Sequence, residues 1–255
     1  MNKRELTDLF VLLNIWLCLT SLLMVAASAI AVGVELRAMG LGVLLPSFLV
    51  YVVYVQDRRS PARADRINQP RRTLLVERYQ QELFLSVLVA LVGYQALLAG
   101  LVLSTAEIDP IFFILGQLPF AVLFYYHQLK QYPGVDSLVV GFTWAFVIVF
   151  TVVISTGISV SPELLLVFLA WFIMVFGGVE SRNISDRTGD RTCGNATLAV
   201  ILGARTTKLL EIALKTLGVA VFWIVGGIHA MATVIVWLLL LRICRRTERG
   251  RARPA

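Results

Sequence analysis

The chain has 255 residues, 58% of them hydrophobic, with a mean hydropathy of +0.81 and a net charge of +7. Soluble domains contain about 45–50% apolar residues, so this composition excludes an ordinary soluble domain and indicates a polytopic membrane protein. The three cysteines are too widely scattered for a disulfide framework or a thiolate metal site. No nucleic-acid partner is expected.

Apolar segments of about 20 residues, the length that crosses a bilayer, recur along the chain. The first is too long for a cleaved signal peptide and is interpreted as a retained span. We predict an all-α bundle of about eight spans, forming one domain over residues 1–255. The approximate spans are 9–31, 40–56, 83–104, 110–127, 137–156, 162–179, 208–227 and 229–243. A turn at Gly226-Gly227 separates the last two.

Basic residues are distributed unequally between the two ends of the predicted bundle. If the N-terminus is cytoplasmic, the connections after even-numbered spans and the C-terminal tail carry nearly all of the Lys and Arg. The opposite side has Arg37 as its only basic residue. The positive-inside rule therefore predicts a cell-membrane protein with both termini and both long charged loops in the cytoplasm. Part of this charge also suits contact with anionic membrane lipid.

The first charged loop, residues 57–82, follows the second span. Ser60-Pro61 predicts a helix start, which would place Asp65 in the first turn and Asn68 one turn later. Asp57 lies just before this start, so these three side chains are expected to converge on one cation. The arginines available nearby for a phosphate are Arg66, Arg71 and Arg72. Taken alone, the loop also fits a solvated basic segment that only sets orientation.

The second charged loop, residues 180–207, follows the sixth span and opens on the same face. Asn183, Asp186 and Asp190 are spaced i, i+3 and i+7, so they would share one face of a helix. Mg²⁺ prefers a few carboxylates together with phosphate oxygens, and arginines suit the phosphate. Two such loops across one cavity predict a site for a metal-bound diphosphate. The arginines that lie among these residues in the second loop are Arg182, Arg187, Arg191 and Arg205.

The second loop carries a motif that resembles a known family. Asn183-x-x-Asp186-x-x-x-Asp190, followed by Arg191, Gly194 and the stretch 197–203, is similar to the second Asp-rich motif of the UbiA superfamily of intramembrane prenyltransferases. The resemblance extends from about the second span to Gly203. It implies a fold that usually has nine spans, one more than the eight counted here.

The first loop and the connection after the fourth span carry further parts of this resemblance. Asp65-x-x-Asn68-x-Pro70-x-Arg72 is similar to the end of the family's first motif, although the middle aspartate of that motif is absent here. The stretch from Tyr54 to Arg58 resembles the Y-x-x-D-R start of a subgroup that includes enzymes prenylating carotenoids. Tyr126 and Lys130 fit the family's Y-x-x-x-K element, in which the lysine meets diphosphate.

The resemblance implies Mg²⁺-dependent transfer of an isoprenyl group from an isoprenyl diphosphate donor to a lipophilic acceptor within the membrane. The implied catalytic and metal-binding residues are Asp57, Asp65, Asp186 and Asp190. The implied diphosphate-binding residues are Asn68, Arg72, Tyr126, Lys130, Asn183 and Arg191. The isoprenoid tail needs an apolar groove, for which aromatic candidates are Tyr94, Trp144, Phe146, Trp171 and Phe172.

Other functions fit parts of the same pattern. A terpene cyclase on this scaffold would ionise the same donor and need no acceptor, and the altered first motif slightly favours it. An inactive family member is another interpretation of the missing aspartate. A transporter or anionic-lipid binder is disfavoured because the polar residues lie at the cytoplasmic mouth rather than at the bilayer midplane.

Overall fold

A computed structural model describes residues 3–61, 63–104, 109–122, 132 and 134–252. Over these residues the secondary structure is helical, without strands, and the predicted all-α fold is confirmed. The elements in chain order are α1 (Lys3–Leu12), α2 (Trp16–Ala31), a 3₁₀ helix (Leu36–Leu44), α3 (Leu45–Arg59), α4 (Arg63–Asn68), α5 (Pro70–Arg78), α6 (Gln80–Ser104), α7 (Ile111–Leu115), α8 (Val135–Thr156), α9 (Pro162–Cys193) and α10 (Leu198–Ala252).

Five helices within the described residues are long and apolar enough to cross a membrane. The last of them breaks at Gly227 (φ 65°, ψ −159°), inside the predicted turn, and two shorter apolar helices cover Trp16–Ala31 and Ile111–Val122. Helix α6 leaves Leu85, Val89 and Leu103 largely exposed, as expected of a lipid-facing surface. Helices therefore lie at each predicted position, and the number of membrane crossings stays a prediction.

The predicted first span is not one continuous helix. Helix α1 ends at Leu12 and α2 begins at Trp16, with Asn14 between them at φ 61°. Asn14 is fully buried. In the amide orientation that satisfies both of its partners, it bridges Arg182 and Glu248. The break places a polar side chain inside the bundle. In the sequence, Asn14 lies within a long apolar segment and is therefore not recognised as a functional residue.

Both charged loops are largely helical, as their sequences predicted. Helix α9 continues through Cys193, so Asn183, Asp186 and Asp190 lie on the extension of a membrane helix. In the first loop, Ser60 caps the C-terminal end of α3 and the next helix begins at Arg63. The predicted helix start at Ser60-Pro61 is therefore wrong by about two residues, and Asp65 still falls in the first turn of α4.

A dense aromatic core lies beneath the charged face. Trp171 on α9 is fully buried and packs against Phe222 and Trp237 of α10, with ring centroids 4.8 and 5.0 Å apart. Its indole nitrogen donates to Ser28 Oγ on α2 at 2.7 Å. Because α2, α9 and α10 are locked together here, the polar residues further along these helices have fixed relative positions.

Candidate active site

Four charged residues of the first loop form one cluster. Arg72 is 3% exposed and donates to Asp65 Oδ1 at 2.6 Å. Arg58 Nη1 lies 3.5 Å from Asp57 Oδ2 and 3.8 Å from Asp65 Oδ1. The end of α3 and the helices α4 and α5 thus bring together three of the residues selected from sequence. Arg58 belongs in the sequence to the Y-x-x-D-R stretch, and in the structure it lies close to both aspartates.

Asn68 joins the two charged loops. Its amide nitrogen donates to the carbonyl oxygen of Asp186 at 2.9 Å, and its amide oxygen accepts from the Gly189 N–H at 3.0 Å. A Cβ atom on Gly189 would lie about 2.5 Å from the Asn68 side chain, so only glycine allows this approach. Asn68 therefore docks α4 onto α9, next to the second motif.

Arg182 is the link between the second motif and the last helix. Its Nε lies 3.6 Å from Asp186 Oδ2, and its Nη2 lies 3.3 Å from Glu248 Oε1. The charges of Arg182 and Arg58 both act on Arg72. The structure thus supports a common charged region formed by Asp57, Asp65 and Asp186 with Arg58, Arg72 and Arg182.

Asn183 has different partners from those the sequence suggested. Its amide lies 3.4 Å from Asp136 Oδ2 and from Ser137 Oγ on α8. Ser137 in turn donates to Oε1 of the fully buried Glu180 at 2.5 Å. These four residues form a buried polar cluster between α8 and α9. Asn183 therefore anchors the second motif to α8.

Asp190 and the other predicted diphosphate-binding residues have separate positions. The Asp190 carboxylate accepts from Asn195 Nδ2 at 3.1 Å and is 8% exposed. Arg191 is exposed at the end of α9. Tyr126 and Lys130 lie outside the described residues. The structure therefore brings together Asp57, Asp65, Asn68, Arg72 and Asp186, whereas Asp190 lies one turn further along and Arg191 projects outward.

The guanidinium groups of Arg58, Arg72 and Arg182 lie close enough together for their positive charges to repel one another. Burial, followed by the charges of Arg58 and Arg182, lowers the pKa of Arg72 to about 9, which still leaves it protonated at pH 7. Arg72 Nη1 and Arg58 Nε are buried without a hydrogen-bond partner among the described residues. Unpartnered buried donors are costly, and an oxyanion with several acceptor oxygens would satisfy them.

A cavity of about 200 Å³ opens beside this cluster. Asp57, Arg58, Arg182 and Arg245 lie on its wall, and the remainder is mainly apolar, including Trp16, Met24, Trp144 and Trp237. Of the aromatic residues suggested from sequence, Trp144 lines this cavity and donates to the Tyr54 hydroxyl at 3.3 Å. Trp171 instead lies in the core, and Tyr94 is buried with its hydroxyl donating to the Gly116 carbonyl.

The donor set fits a hard cation that is shared with a phosphate ligand. Among the described residues, no three carboxylate, His or Cys side chains are grouped closely enough to hold a metal by themselves. Asp65 instead accepts from Arg72, and Asp57 faces Arg58. Mg²⁺ normally binds one or two carboxylates and completes its octahedron with water and phosphate oxygens. Paired aspartates beside unpartnered guanidinium donors match that requirement.

The chain belongs to the UbiA prenyltransferase family, whose family model matches residues 62–250. No curated protein matches it in sequence. A solved structure of a UbiA homolog from Archaeoglobus fulgidus is 15% identical, with a TM-score of 0.62 over 97% of this chain and 90% of that one. The same homolog bound to DMAPP and Mg²⁺ is 17% identical, with a TM-score of 0.60 over 92% and 86%. Bound to GPP and Mg²⁺, it is 15% identical, with a TM-score of 0.57 over 96% of each chain.

Proposed function

We propose that this integral membrane protein transfers an isoprenyl group from an isoprenyl diphosphate to a lipophilic acceptor, in a reaction that requires Mg²⁺. The observation that carries the proposal is the cluster of three aspartates and three arginines at one apolar cavity. Charged and apolar surfaces meet there as they do in the donor, which joins a highly anionic head to a hydrocarbon tail. The homolog solved with DMAPP or GPP and Mg²⁺ supports the same ligand class.

The residues of the cluster divide into two roles. Asp57, Asp65 and Asp186 would hold Mg²⁺, with Asp190 as the further carboxylate expected from the motif. Bound there, the metal would offset the charge of the diphosphate and make it a better leaving group. Arg58, Arg72 and Arg182 hold the leaving diphosphate through charge-assisted hydrogen bonds, assisted by Asn68. Tyr126 and Lys130 retain their motif-based assignment within this proposal. Asn183 instead positions the second motif through Asp136 and Ser137, and Arg191 is exposed at the end of α9.

The cavity wall serves the hydrocarbon part of the donor. Its apolar residues exclude water, which would otherwise capture an allylic carbocation before the acceptor does. The indole of Trp144 and the phenol of Tyr54, with ring centroids 6.1 Å apart, offer aromatic faces of the kind that stabilise cations. The lipophilic acceptor reaches the carbocation from the membrane.

A terpene cyclase is the second candidate, and the missing middle aspartate of the first motif is the observation that favours it. Its donor would need the same charged cluster and the same cavity. The carbocation would then react with a double bond of its own chain, so the hydrocarbon product would form without an acceptor.

Incubation of the purified protein with Mg²⁺ and a panel of isoprenyl diphosphates tests both candidates. The donor is supplied first alone and then with a membrane lipid extract, and products are read by mass spectrometry. A product that requires the extract identifies a transferase, and its mass identifies the acceptor. A hydrocarbon formed from the donor alone identifies a cyclase. No product in either case, with donor binding unaffected by EDTA, would contradict the enzymatic proposal.

A further inference from the structure

The second half of α10 carries a stripe that runs along the cavity. Trp237, Leu241, Arg245 and Glu248 are spaced four, four and three residues apart, so they share one helix face. Trp237, Leu241 and Arg245 all line the cavity. The stripe is therefore apolar deep in the bundle and charged at the end where α3 and α9 contribute Asp57, Arg58 and Arg182.

Arg245 is held in place by the helix that carries the second motif. Its Nη2 donates to the carbonyl oxygen of Gly178 on α9 at 3.0 Å. Because one hydrogen bond occupies only part of a guanidinium with five N–H donors, the others remain available for a ligand in the cavity. Arg242 and Arg246, one turn before and one residue after it, are exposed. Those two suit the positive-inside pattern and lipid headgroups, whereas Arg245 faces the site.

Glu248 fixes the end of this helix at the site. Its side chain is 10% exposed, and its carboxylate pairs with Arg182 Nη2 at 3.3 Å. Asn14 bridges the same two side chains, with its nitrogen 3.2 Å from Glu248 Oε1 and its oxygen 2.8 Å from Arg182 Nη1. Residues from α9, α10 and the break before α2 therefore hold the C-terminal end of α10 against the charged cluster.

We infer that Arg245 is a further diphosphate-binding residue, supplied by the last helix and kept in register by the contact between Glu248 and Arg182. The inference rests on the proposed function, because it assumes that the ligand of the cluster is a diphosphate. Arg245 would reach the head group from the last helix, whereas Arg72 lies on α5. It would add a fourth guanidinium to the three that the two loops supply.

Binding to the purified full chain tests this inference with two probes, inorganic diphosphate and geranylgeranyl diphosphate, each with Mg²⁺. Arg245→Gln removes a charged hydrogen-bond donor and is expected to weaken binding of both probes by about ten-fold to a hundred-fold. Arg246→Gln makes the same change of charge on the exposed face and is expected to stay within about two-fold of the parent. A shared effect on both probes identifies a contact with the head group, since a damaged cavity would weaken only the prenylated one.

Two outcomes separate failure of the inference from failure of the proposed function. If the parent protein binds neither probe, the diphosphate function is wrong. If the parent binds both and Arg245→Gln matches Arg246→Gln, only the role of Arg245 is wrong. Should Arg245→Gln fail to fold, the comparison passes to Arg245→Lys and Arg246→Lys. Loss of the guanidinium fork should then weaken binding by about three-fold or more at position 245 alone, and equal affinities would overturn the inference.

Discussion

At the scale of single residues, the site is a balance of opposite charges that a ligand would rearrange. Asp57, Asp65 and Asp186 each face an arginine at 2.6–3.6 Å. Within the part of the chain that the structure describes, buried guanidinium nitrogens on Arg58 and Arg72 still have no hydrogen-bond partner. Binding of Mg²⁺ together with a diphosphate would give the aspartates a cation and the arginines acceptor oxygens.

Substitution of the second-motif aspartates tests this balance. Asp186→Asn removes a negative charge from the proposed metal site, and we expect turnover of the isoprenyl donor to fall by about a hundred-fold or more. The double variant Asp186→Asn with Asp190→Asn should have no measurable turnover while remaining folded and inserted. Turnover is measured as diphosphate release with and without added Mg²⁺.

A matched control for this experiment is Glu77→Gln. Glu77 is about half exposed and pairs with Arg66 at 3.4 Å, so the same chemical change there removes only a surface ion pair. Its turnover should stay within about two-fold of the parent, because exposed pairs contribute roughly 0–1 kcal/mol. Near-normal turnover in the double aspartate variant would remove Asp186 and Asp190 from the catalytic site.

At the scale of elements, α9 is longer than a membrane crossing requires. Its 32 residues extend about 48 Å, whereas the hydrocarbon core of a bilayer is about 30 Å thick. The last third of the helix is therefore available to carry the second motif on rigid backbone. Helix α4 docks against this extension through Asn68, and this contact holds the two charged loops in a fixed position relative to each other.

The close approach of α4 and α9 can be tested at Gly189. Gly189→Ala would place a methyl group about 2.5 Å from the Asn68 side chain, so Asn68 must move and its two hydrogen bonds to α9 must weaken. We expect a loss of about 1–3 kcal/mol in the free energy of unfolding and at least ten-fold weaker donor binding.

The control for the glycine is Gly100→Ala in α6. No atom lies within 4 Å of a Cβ at that position, so the substitution should leave stability unchanged or raise it by up to about 1 kcal/mol. Thermal unfolding and donor affinity are measured for both variants. If Gly189→Ala resembles Gly100→Ala in both measurements, the docking of α4 by Asn68 is not important for the site.

The sequence revealed those parts of the site that are local, and the long-range parts only in outline. Asp65, Asn68 and Arg72 follow one another within two helical turns, so a short motif sufficed to select them. Glu248 and Asn14 were missed because each meets Arg182 across more than 60 residues. Arg245 was missed because it lies in an arginine-rich tail, where orientation in the membrane explains every arginine equally well. The stripe from Trp237 to Glu248 was the available signal.

At the scale of the whole molecule, the sidedness of the bundle is a proposal that follows from its basic residues. Cys193 ends α9 beside the second motif and should face the cytoplasm. Arg37, whose side chain is 85% exposed, lies on the opposite side in the predicted topology. The two positions therefore provide one marker for each face.

Thiol labelling in spheroplasts and in inverted vesicles measures this orientation. Cys18→Ser and Cys244→Ser leave Cys193 as the only thiol, which a membrane-impermeant reagent should label in inverted vesicles alone. When Cys193→Ser and Arg37→Cys are added, labelling should occur in spheroplasts alone. Labelling of Cys193 from outside, with the reverse result at position 37, would invert the topology.

The meeting of Asn14, Arg182 and Glu248 also bears on how the protein is made. Insertion of a polytopic protein proceeds from the N-terminus as the ribosome advances. Asn14 enters early and Arg182 much later, yet neither has its full set of contacts until residue 248 has left the ribosome. A nascent chain would therefore contain both Asp motifs before Arg245 and Glu248 have been synthesised. If the proposed function is correct, a partly made chain in the membrane would therefore bind the donor less tightly than the finished protein.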